Sequence, residues 1–287
     1  MSELKKYVGK HPVGTFCLLA YAITWSVWAP ISYGYVSGSL ELTPLVVTIY
    51  MLGSFGPLLS AAIVTALIGG SLRAWFAQAL KWRVSVKWWL AAFFVPIILY
   101  GIMAAIHMLI GGTFNVAKVA PLLALPGGFL SVFLWGGGNE ELGWRGFALP
   151  RLQERYTPFR ASLIIGVVWT LWHAPPGIIE LGLIPWALDL PFYMITVTGI
   201  SVVATWLYNK SGGSVLMTMV FHASVNVTQS LYPVEGMFTR TGEFARVIAW
   251  VILVIGLIFL PQSAFFRRKS AGNLRPFDIA VRPIKEV

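Results

Sequence analysis

Two adjacent glutamates and an arginine follow an apolar stretch near the middle of the sequence. Glu140 and Glu141 follow a run of three glycines and one asparagine, and Arg145 lies four residues after Glu141. On a helix, Glu141 and Arg145 share a face and can form an ion pair, whereas Glu140 is turned away by about 100°. A carboxylate without a cation partner is the group that a general base requires. We predict a free base at Glu140 beside a neutralised Glu141; a plain interfacial ion pair is the competing interpretation.

A histidine precedes two prolines in a second apolar segment. His173 lies four residues after Trp169 and just before Pro175 and Pro176. The prolines have no N–H to donate to the preceding turn, so carbonyl acceptors beside the imidazole stay open. Such open backbone is tolerated at membrane depth only where protein or a water-filled cavity satisfies it. An imidazole placed there can assist proton transfer, although a helix that simply ends at the prolines also explains the pattern.

A third pair, His222 and Asn226, has the spacing of neighbours on one helical face. An imidazole and a carboxamide can both donate hydrogen bonds toward one point. Two converging donors suit an oxyanion that develops on a carbonyl oxygen. A polar pair that binds one helix to its neighbour is the alternative.

The elements that carry these residues are apolar. The sequence is 57% hydrophobic and 11% charged, with a mean hydropathy of +0.75, unlike a soluble domain. Eight apolar segments predict an all-α, polytopic membrane protein with about eight transmembrane helices. We place them at roughly 13–32, 44–68, 88–110, 122–138, 161–180, 189–208, 213–232 and 244–266. The first is interpreted as a retained span, and whether Gly136, Gly137 and Gly138 break the fourth is left open.

The basic residues predict the orientation of these spans. With the N-terminus inside, 18 of the 21 lysines and arginines fall in cytoplasmic pieces. These pieces are 1–12, 69–87, 145–160, 209–213 and 264–287. The positive-inside rule therefore favours an N-in, C-in topology. It also accounts for the net charge of +10, so no nucleic-acid partner is expected.

We expect a single integral membrane domain over 1–287, with cytoplasmic tails at 1–12 and 268–287. The connection at 69–87 alternates basic and aromatic residues, which is typical of a helix lying in the cytoplasmic interface. The single cysteine, Cys17, excludes a disulfide framework and a cysteine-based metal cluster.

The polar groups of the three segments lie at one predicted depth. We count the residues that separate each group from the nearest predicted cytoplasmic basic residue. There are 11 from Arg151 to Glu140, 13 from Arg160 to His173 and 12 from Lys210 to His222. At 1.5 Å per residue, these are depths of about 16–20 Å. His107 is 20 residues beyond Lys87, near the opposite surface, and is excluded from the site together with His11.

The three motifs resemble those of the CPBP family of intramembrane proteases, also called Abi, which includes the type II CAAX prenyl proteases. Glu140-Glu141-x-x-x-Arg145 matches the first motif, Trp169-x-x-x-His173 the second and His222-x-x-x-Asn226 the third. Phe is the more usual aromatic in the second motif. The match covers about 125–230, roughly a third of the chain, and its strength lies in all three motifs occurring in order.

The resemblance implies an eight-helix fold and peptide hydrolysis without a covalent intermediate. Glu140, assisted by His173, would activate a water, and His222 with Asn226 would stabilise the oxyanion. Glu141 and Arg145 would support the site. The expected enzyme is thus an intramembrane endopeptidase of glutamate type, although the family was formerly classed as metalloproteases.

Zinc is the minority alternative, with Glu140, His173 and His222 as ligands and an open water position. The absence of an HExxH spacing favours the metal-free interpretation, so no cofactor is expected.

Other functions stay open at this point. A transporter or proton relay would use the same ionisable residues, and an immunity or scaffold protein would bind a partner without cleaving it. A protease with a processing role unrelated to prenylation is a further alternative. The expected partners are the lipid bilayer and a hydrophobic or lipidated substrate, of which prenylated CAAX proteins are one candidate. We expect a site that opens toward the cytoplasmic side of a bacterial-type membrane.

Overall fold

The computed structural model describes residues 3–114, 119–231, 234–235 and 240–258, and these are overwhelmingly helical. The all-α prediction is confirmed at this level. The only strands in these ranges are β1 (Thr113–Phe114) and β2 (Val234–Glu235), which pair antiparallel. The α-helices are α1 (Glu3–Lys10), α2 (Pro12–Val36), α3 (Pro44–Leu52), α4 (Gly56–Leu67), α5 (Leu72–Phe76), α6 (Val86–Leu109), α7 (Leu125–Trp135), α8 (Glu141–Gly143), α9 (Leu149–Leu152), α10 (Pro158–Trp172), α11 (Ala174–Leu181), α12 (Leu183–Lys210), α13 (Val215–Gln229) and α14 (Arg240–Ile258).

Each predicted apolar segment contains helix among its described residues, but not every helix is long enough to cross a bilayer. In the described ranges, four helical spans are both long enough and apolar enough to cross a membrane. A fifth qualifies if α10 and α11, which are bent by 50° relative to each other, count as one span. The four are Pro12–Val36, Pro44–Leu67, Val86–Leu109 and Leu183–Lys210. The chain is thus a multi-pass helical protein. The eight-span count and the N-in, C-in orientation stay predictions, and 268–287 lies outside the described residues.

The segments that fall short do so for visible reasons. The fourth ends at Trp135, because the glycine run interrupts it before the glutamates. The seventh is a helix of 15 residues that carries His222 and Asn226. Its length is about 22 Å, less than the hydrocarbon thickness of about 30 Å. One shortened helix thus ends just before Glu140, and the other carries His222 and Asn226.

Two hydrophobic clusters hold the bundle together. One draws on α2, α4, α9 and α10, and the other on α6, α12, α13 and α14. Phe133 of α7 and Ile200 of α12 pack against both clusters. Helix α10 packs along α12, α2 along α4, and α13 against α6 and α7. The motif helices α10 and α13 thus each contact a long apolar helix that fixes their position.

Capping residues begin these two motif helices. The Thr157 side chain accepts from the N–H of Arg160 at the start of α10, and Ser214 does the same for Met217 in α13. Side-chain acceptors at this position satisfy amides that have no helical partner. The positions at which α10 and α13 begin determine where His173 and His222 lie in the bundle.

The connection predicted to lie in the interface also packs inward. Phe76, Leu80 and Trp82 are exposed, as that prediction requires, but Trp75 and Gln78 are buried. The Trp75 indole donates to the carbonyl of Leu142 (3.0 Å) and the Gln78 amide to that of Gly146 (3.0 Å). Residues 69–87 therefore also pack against the segment that carries Glu140 and Glu141, and do not act only as a membrane anchor.

A candidate protease site between the helices

Glycine and asparagine build the turn that places Glu140. Helix α7 ends at Trp135, and Gly137 takes a φ of 138°, a conformation that favours glycine. The Asn139 side chain accepts from the N–H of Gly137 (3.2 Å) and donates to the hydroxyl of Ser54 (3.2 Å). The sequence left open whether the glycine run breaks the fourth apolar segment. The structure shows that it does, and Glu140 follows the break.

Glu141 lies at the centre of a buried charged network. Its Oε1 accepts from Nη1 of Arg145 (2.9 Å), the i, i+4 ion pair expected from the spacing, and lies 3.0 Å from Nδ1 of His222. All three side chains are buried. Because an ionised carboxylate only accepts hydrogen bonds, His222 donates from Nδ1. Its Nε2 can donate to a further group only when both ring nitrogens carry protons.

Residues 137–153, which contain this network, are buried without interruption. A π-helical turn, Trp144–Ala148, runs through the middle of the stretch. π-turns of this kind often occur at functional sites. The motif segment is therefore an internal element and not an interfacial one, which disfavours the interpretation of Glu141 and Arg145 as a surface ion pair.

Trp169 connects the three motifs. Its indole N–H donates to Oε2 of Glu140 (2.9 Å), and its carbonyl accepts from Nδ1 of His173 (2.8 Å). The ring centroid lies 5.0 Å from that of His222 and 5.7 Å from that of His173. The guanidinium of Arg145 lies over the ring at 4.8 Å, within range of a cation–π interaction. The sequence identified Trp169 only as the aromatic of a motif, and did not predict this central role.

His173 sits at the joint between α10 and α11. Because the Trp169 carbonyl can only accept, Nδ1 of His173 carries the proton, and Nε2 of the neutral ring is left with a lone pair. The two prolines fall in the first turn of α11, so they start a new helix at a 50° bend. The carbonyl of Trp172, expected to be open, accepts from the indole N–H of Trp25 (3.0 Å).

Asn226 lies one turn beyond His222 and is exposed. Its amide nitrogen is 3.4 Å from the carbonyl of Gly136. A Cβ at Gly137 would lie 3.1 Å from the His222 ring and 3.2 Å from the Asn226 amide. Because Gly137 has no side chain, the space in front of the His222 ring and the Asn226 amide stays open to another atom.

All four predicted catalytic residues line one cavity of about 470 Å³. Glu140, His173, His222 and Asn226 contribute to its wall with Trp169, whereas His107 and His11 do not. The structure therefore brings the three motifs together, and the roles of their residues stay predictions. Sequence reasoning missed the remainder of the lining, including Trp28, Tyr50, Trp135, Glu180, Tyr193 and Arg246, because no motif spacing marks them.

The donor set does not form a metal centre in the described part of the chain. No group of three or more His, Cys, Asp or Glu side chains there is placed to hold an ion. The Nδ1 atoms of both histidines bond to Glu141 and to the Trp169 carbonyl, so Nε2 is the atom that each ring would offer to a ligand. Zinc held by Glu140, His173 and His222 stays the alternative prediction.

Apolar helices around a buried glutamate, two histidines and an asparagine define a multi-pass membrane protein with a protease-like site. Residues 121–228 match the family described as Type II CAAX prenyl endopeptidase Rce1-like. The range coincides with the segment that carries the three motifs, so the resemblance inferred from them is confirmed for this part of the chain.

The chain is also similar to the CAAX prenyl protease 2 of Methanococcus maripaludis. The two are 29% identical over 162 residues, which is 46% of this chain. The matched region spans 59% of the length of that relative. The comparison thus supports the family assignment of the core.

Replacing Trp169 by Phe tests whether the indole N–H holds Glu140. The variant keeps an aromatic ring and the backbone carbonyl, and loses the donor together with part of the buried indole. We expect kcat to fall about ten- to hundredfold with little change in KM, since a hydrogen bond to a charged group is worth about 1.5–3 kcal/mol. Steady-state cleavage kinetics measure both constants.

Trp172→Phe is the matched control. Trp172 is buried and its ring lies 4.7 Å from His173, but its indole nitrogen makes no hydrogen bond among the described residues. This variant should keep its kcat. Equal losses in both variants would mean that ring packing, and not the hydrogen bond, matters at position 169.

Proposed function

We propose that the chain is an intramembrane endopeptidase that hydrolyses a peptide bond of a membrane-associated substrate through a water activated by Glu140. The observation that carries the proposal is the convergence of Glu140, His173, His222 and Asn226 on one cavity. The family match and the relative named as a CAAX prenyl protease support the same class of reaction.

Glu140 has the features of the base. One oxygen, Oε2, is held by Trp169, which leaves Oε1 to accept a proton from a water in the cavity. His173 presents the lone pair of Nε2 to the same cavity and can accept the second hydrogen of that water. Two acceptors on one water orient its oxygen toward a substrate carbonyl.

The remaining steps need a donor pair and a proton. As the water oxygen bonds to the carbonyl carbon, Glu140 takes the water proton and an oxyanion forms. The Asn226 amide donates to that oxygen, and His222 does so through Nε2 when doubly protonated. Collapse of the intermediate breaks the C–N bond, and the proton on Glu140 passes to the leaving amine.

Glu141 and Arg145 support the site in this proposal and do not take part in the reaction. The ion pair fixes the carboxylate that receives the N–H of His222, and so sets the direction of its ring. No step of this mechanism requires a metal. Prenylation of the substrate and the cytoplasmic opening of the site stay predictions from the sequence.

Reconstituted protein and a membrane-anchored test peptide provide the test. We expect cleavage that persists in a strong chelator and is lost in His173→Ala, since that variant removes one of the two groups that orient the water. Mass spectrometry of the products identifies the broken bond. Loss of activity in chelator, with recovery on adding Zn²⁺, would favour the zinc enzyme.

Full activity of His173→Ala would contradict the mechanism. Absence of cleavage in the wild-type protein, with binding of the peptide retained, would favour a non-catalytic binding protein. Proton-coupled uptake by the same vesicles would favour a transporter.

A further inference from the structure

Helix α11 presents one of its faces to the cavity. His173 at the start of the helix, Pro176 and Glu180 all line the cavity. Their spacing of three and four residues places them on one helical face. Because the helix is continuous from Ala174 to Leu181, Glu180 lies two turns from His173, about 10 Å along the axis. A second carboxylate therefore lines the cavity that contains Glu140, at a distance that one short helix fixes.

Glu180 differs in character from the rest of this helix. It is the only ionisable residue of α11, and it follows Ile178 and Ile179. Ionisable groups in the apolar helices of a membrane protein face the bundle interior or a water-filled cavity, and they often mark the path of a substrate. Glu180 is exposed and also lines the cavity. Its carboxylate is therefore accessible to a molecule that binds there.

The charges around Glu180 favour a positively charged ligand. The ionisable groups that act on it are Arg246 and Asp189. Arg246 also lines the cavity, but its Nη2 lies 3.7 Å from Oδ1 of Asp189. Glu180 itself forms no ion pair or hydrogen bond within the part of the chain that the structure describes. When all three groups are ionised, they carry a net charge of one electron, which attracts cations and repels carboxylates.

The length of α11 relates this charge to the position of the reaction. In the proposed mechanism, His173 helps to orient the water that attacks the scissile bond. An extended peptide advances about 3.3 Å per residue, so the distance of about 10 Å from His173 to Glu180 corresponds to roughly three residues of substrate. Glu180 is thus placed to meet a substrate side chain near the scissile bond, and not the bond itself.

We propose that Glu180 is a specificity residue that binds a lysine or arginine side chain of the substrate, about three residues from the scissile bond. The inference deepens the proposed peptidase function and rests on it. Glu180 takes no part in the hydrolysis in this proposal.

A series of anchored peptides tests the inference. Each peptide carries Lys or Glu at one of the four positions on either side of the scissile bond, and kcat/KM is measured for each. At a position near the third, we expect the Lys peptide to be cleaved about five- to tenfold more efficiently than the Glu peptide, as one attractive and one repulsive contact of partly solvated charges would give. The preference should weaken at high ionic strength.

Substitution of Glu180 assigns the preference to this residue. Glu180→Gln should abolish the preference, and Glu180→Lys should reverse it at the same position. Glu41→Lys is the matched control, because Glu41 is exposed and does not line the cavity, and it should keep the wild-type preference. A wild-type preference in both Glu180 variants, or no preference in the wild-type protein at any position, would overturn the inference.

Binding separates this inference from the proposed function. The affinities for the Lys and Glu peptides are measured in the Glu140→Gln protein, with and without Glu180→Lys. Tighter binding of the Lys peptide that depends on Glu180, together with no cleavage of either peptide by the wild-type protein, would overturn the peptidase function and keep the binding site. Equal binding and equal cleavage of the two peptides would overturn the inference and leave the proposed function intact.

Discussion

Replacing Glu140 by Gln is expected to lower the cleavage rate by about 10²–10⁴-fold, the usual contribution of a general base. The amide keeps the shape of the side chain and an oxygen that can accept from the Trp169 indole, but it cannot take a proton from water. The loss should fall on kcat, because substrate contacts elsewhere in the cavity are unchanged. Single-turnover cleavage of the anchored peptide measures the chemical step directly.

Glu41→Gln is the control for this substitution. Glu41 is exposed, lies in the connection before α3 and does not line the cavity. The same chemical change there should leave the rate unaltered. A Glu140→Gln variant that cleaves at the wild-type rate while remaining folded would remove Glu140 from the role of base, and with it the proposed mechanism.

The sequence was most informative where it placed ionisable residues in apolar surroundings. Such groups are costly within a membrane protein, so their positions carry a functional signal even without contacts. Equal depths along separate helices then predicted that Glu140, His173 and His222 would meet. The structure does bring them to one cavity, although the chain from Arg151 to Glu140 and from Lys210 to His222 is not continuous α-helix.

What the sequence could not predict depends on contacts between distant segments. Trp169 gathers Glu140, His173 and His222 through a side-chain donor, a backbone acceptor and a ring face. No spacing rule reveals that combination. The Asn139 clamp on Ser54 likewise joins positions 85 residues apart.

The predicted number of spans shows another limit. Hydropathy identified eight apolar segments, yet the glycine break before Glu140 and the short α13 make two of them unlike ordinary spans. Composition alone treats a broken or short helix like a continuous one.

The second large effect is expected on stability, from Arg145→Met. The substitution keeps much of the apolar stem and removes the charge that pairs with Glu141. The carboxylate of Glu141, which is fully buried, would then keep only His222 as a partner among the residues that the structure describes. Removing one member of a buried ion pair typically costs about 3–5 kcal/mol. A lower unfolding temperature in detergent or lipid should follow, together with weaker cleavage as the His222 ring loses its fixed acceptor.

The double variant Arg145→Met, Glu141→Gln separates the cost of an unpaired charge from the loss of a contact. Nε and Nη2 of Arg145 make no hydrogen bond among the described residues, so the guanidinium relies on Glu141 and the face of Trp169. Replacing both charges leaves neither one unpaired, and such replacements are often close to neutral. We therefore expect the double variant to unfold at a higher temperature than Arg145→Met alone, while cleavage stays weak because a carboxamide holds the imidazole less firmly than a carboxylate. The single variant Glu141→Gln completes the comparison. If the double variant lost as much stability as Arg145→Met and Glu141→Gln lose together, the two residues would act independently, and the ion pair would not position His222.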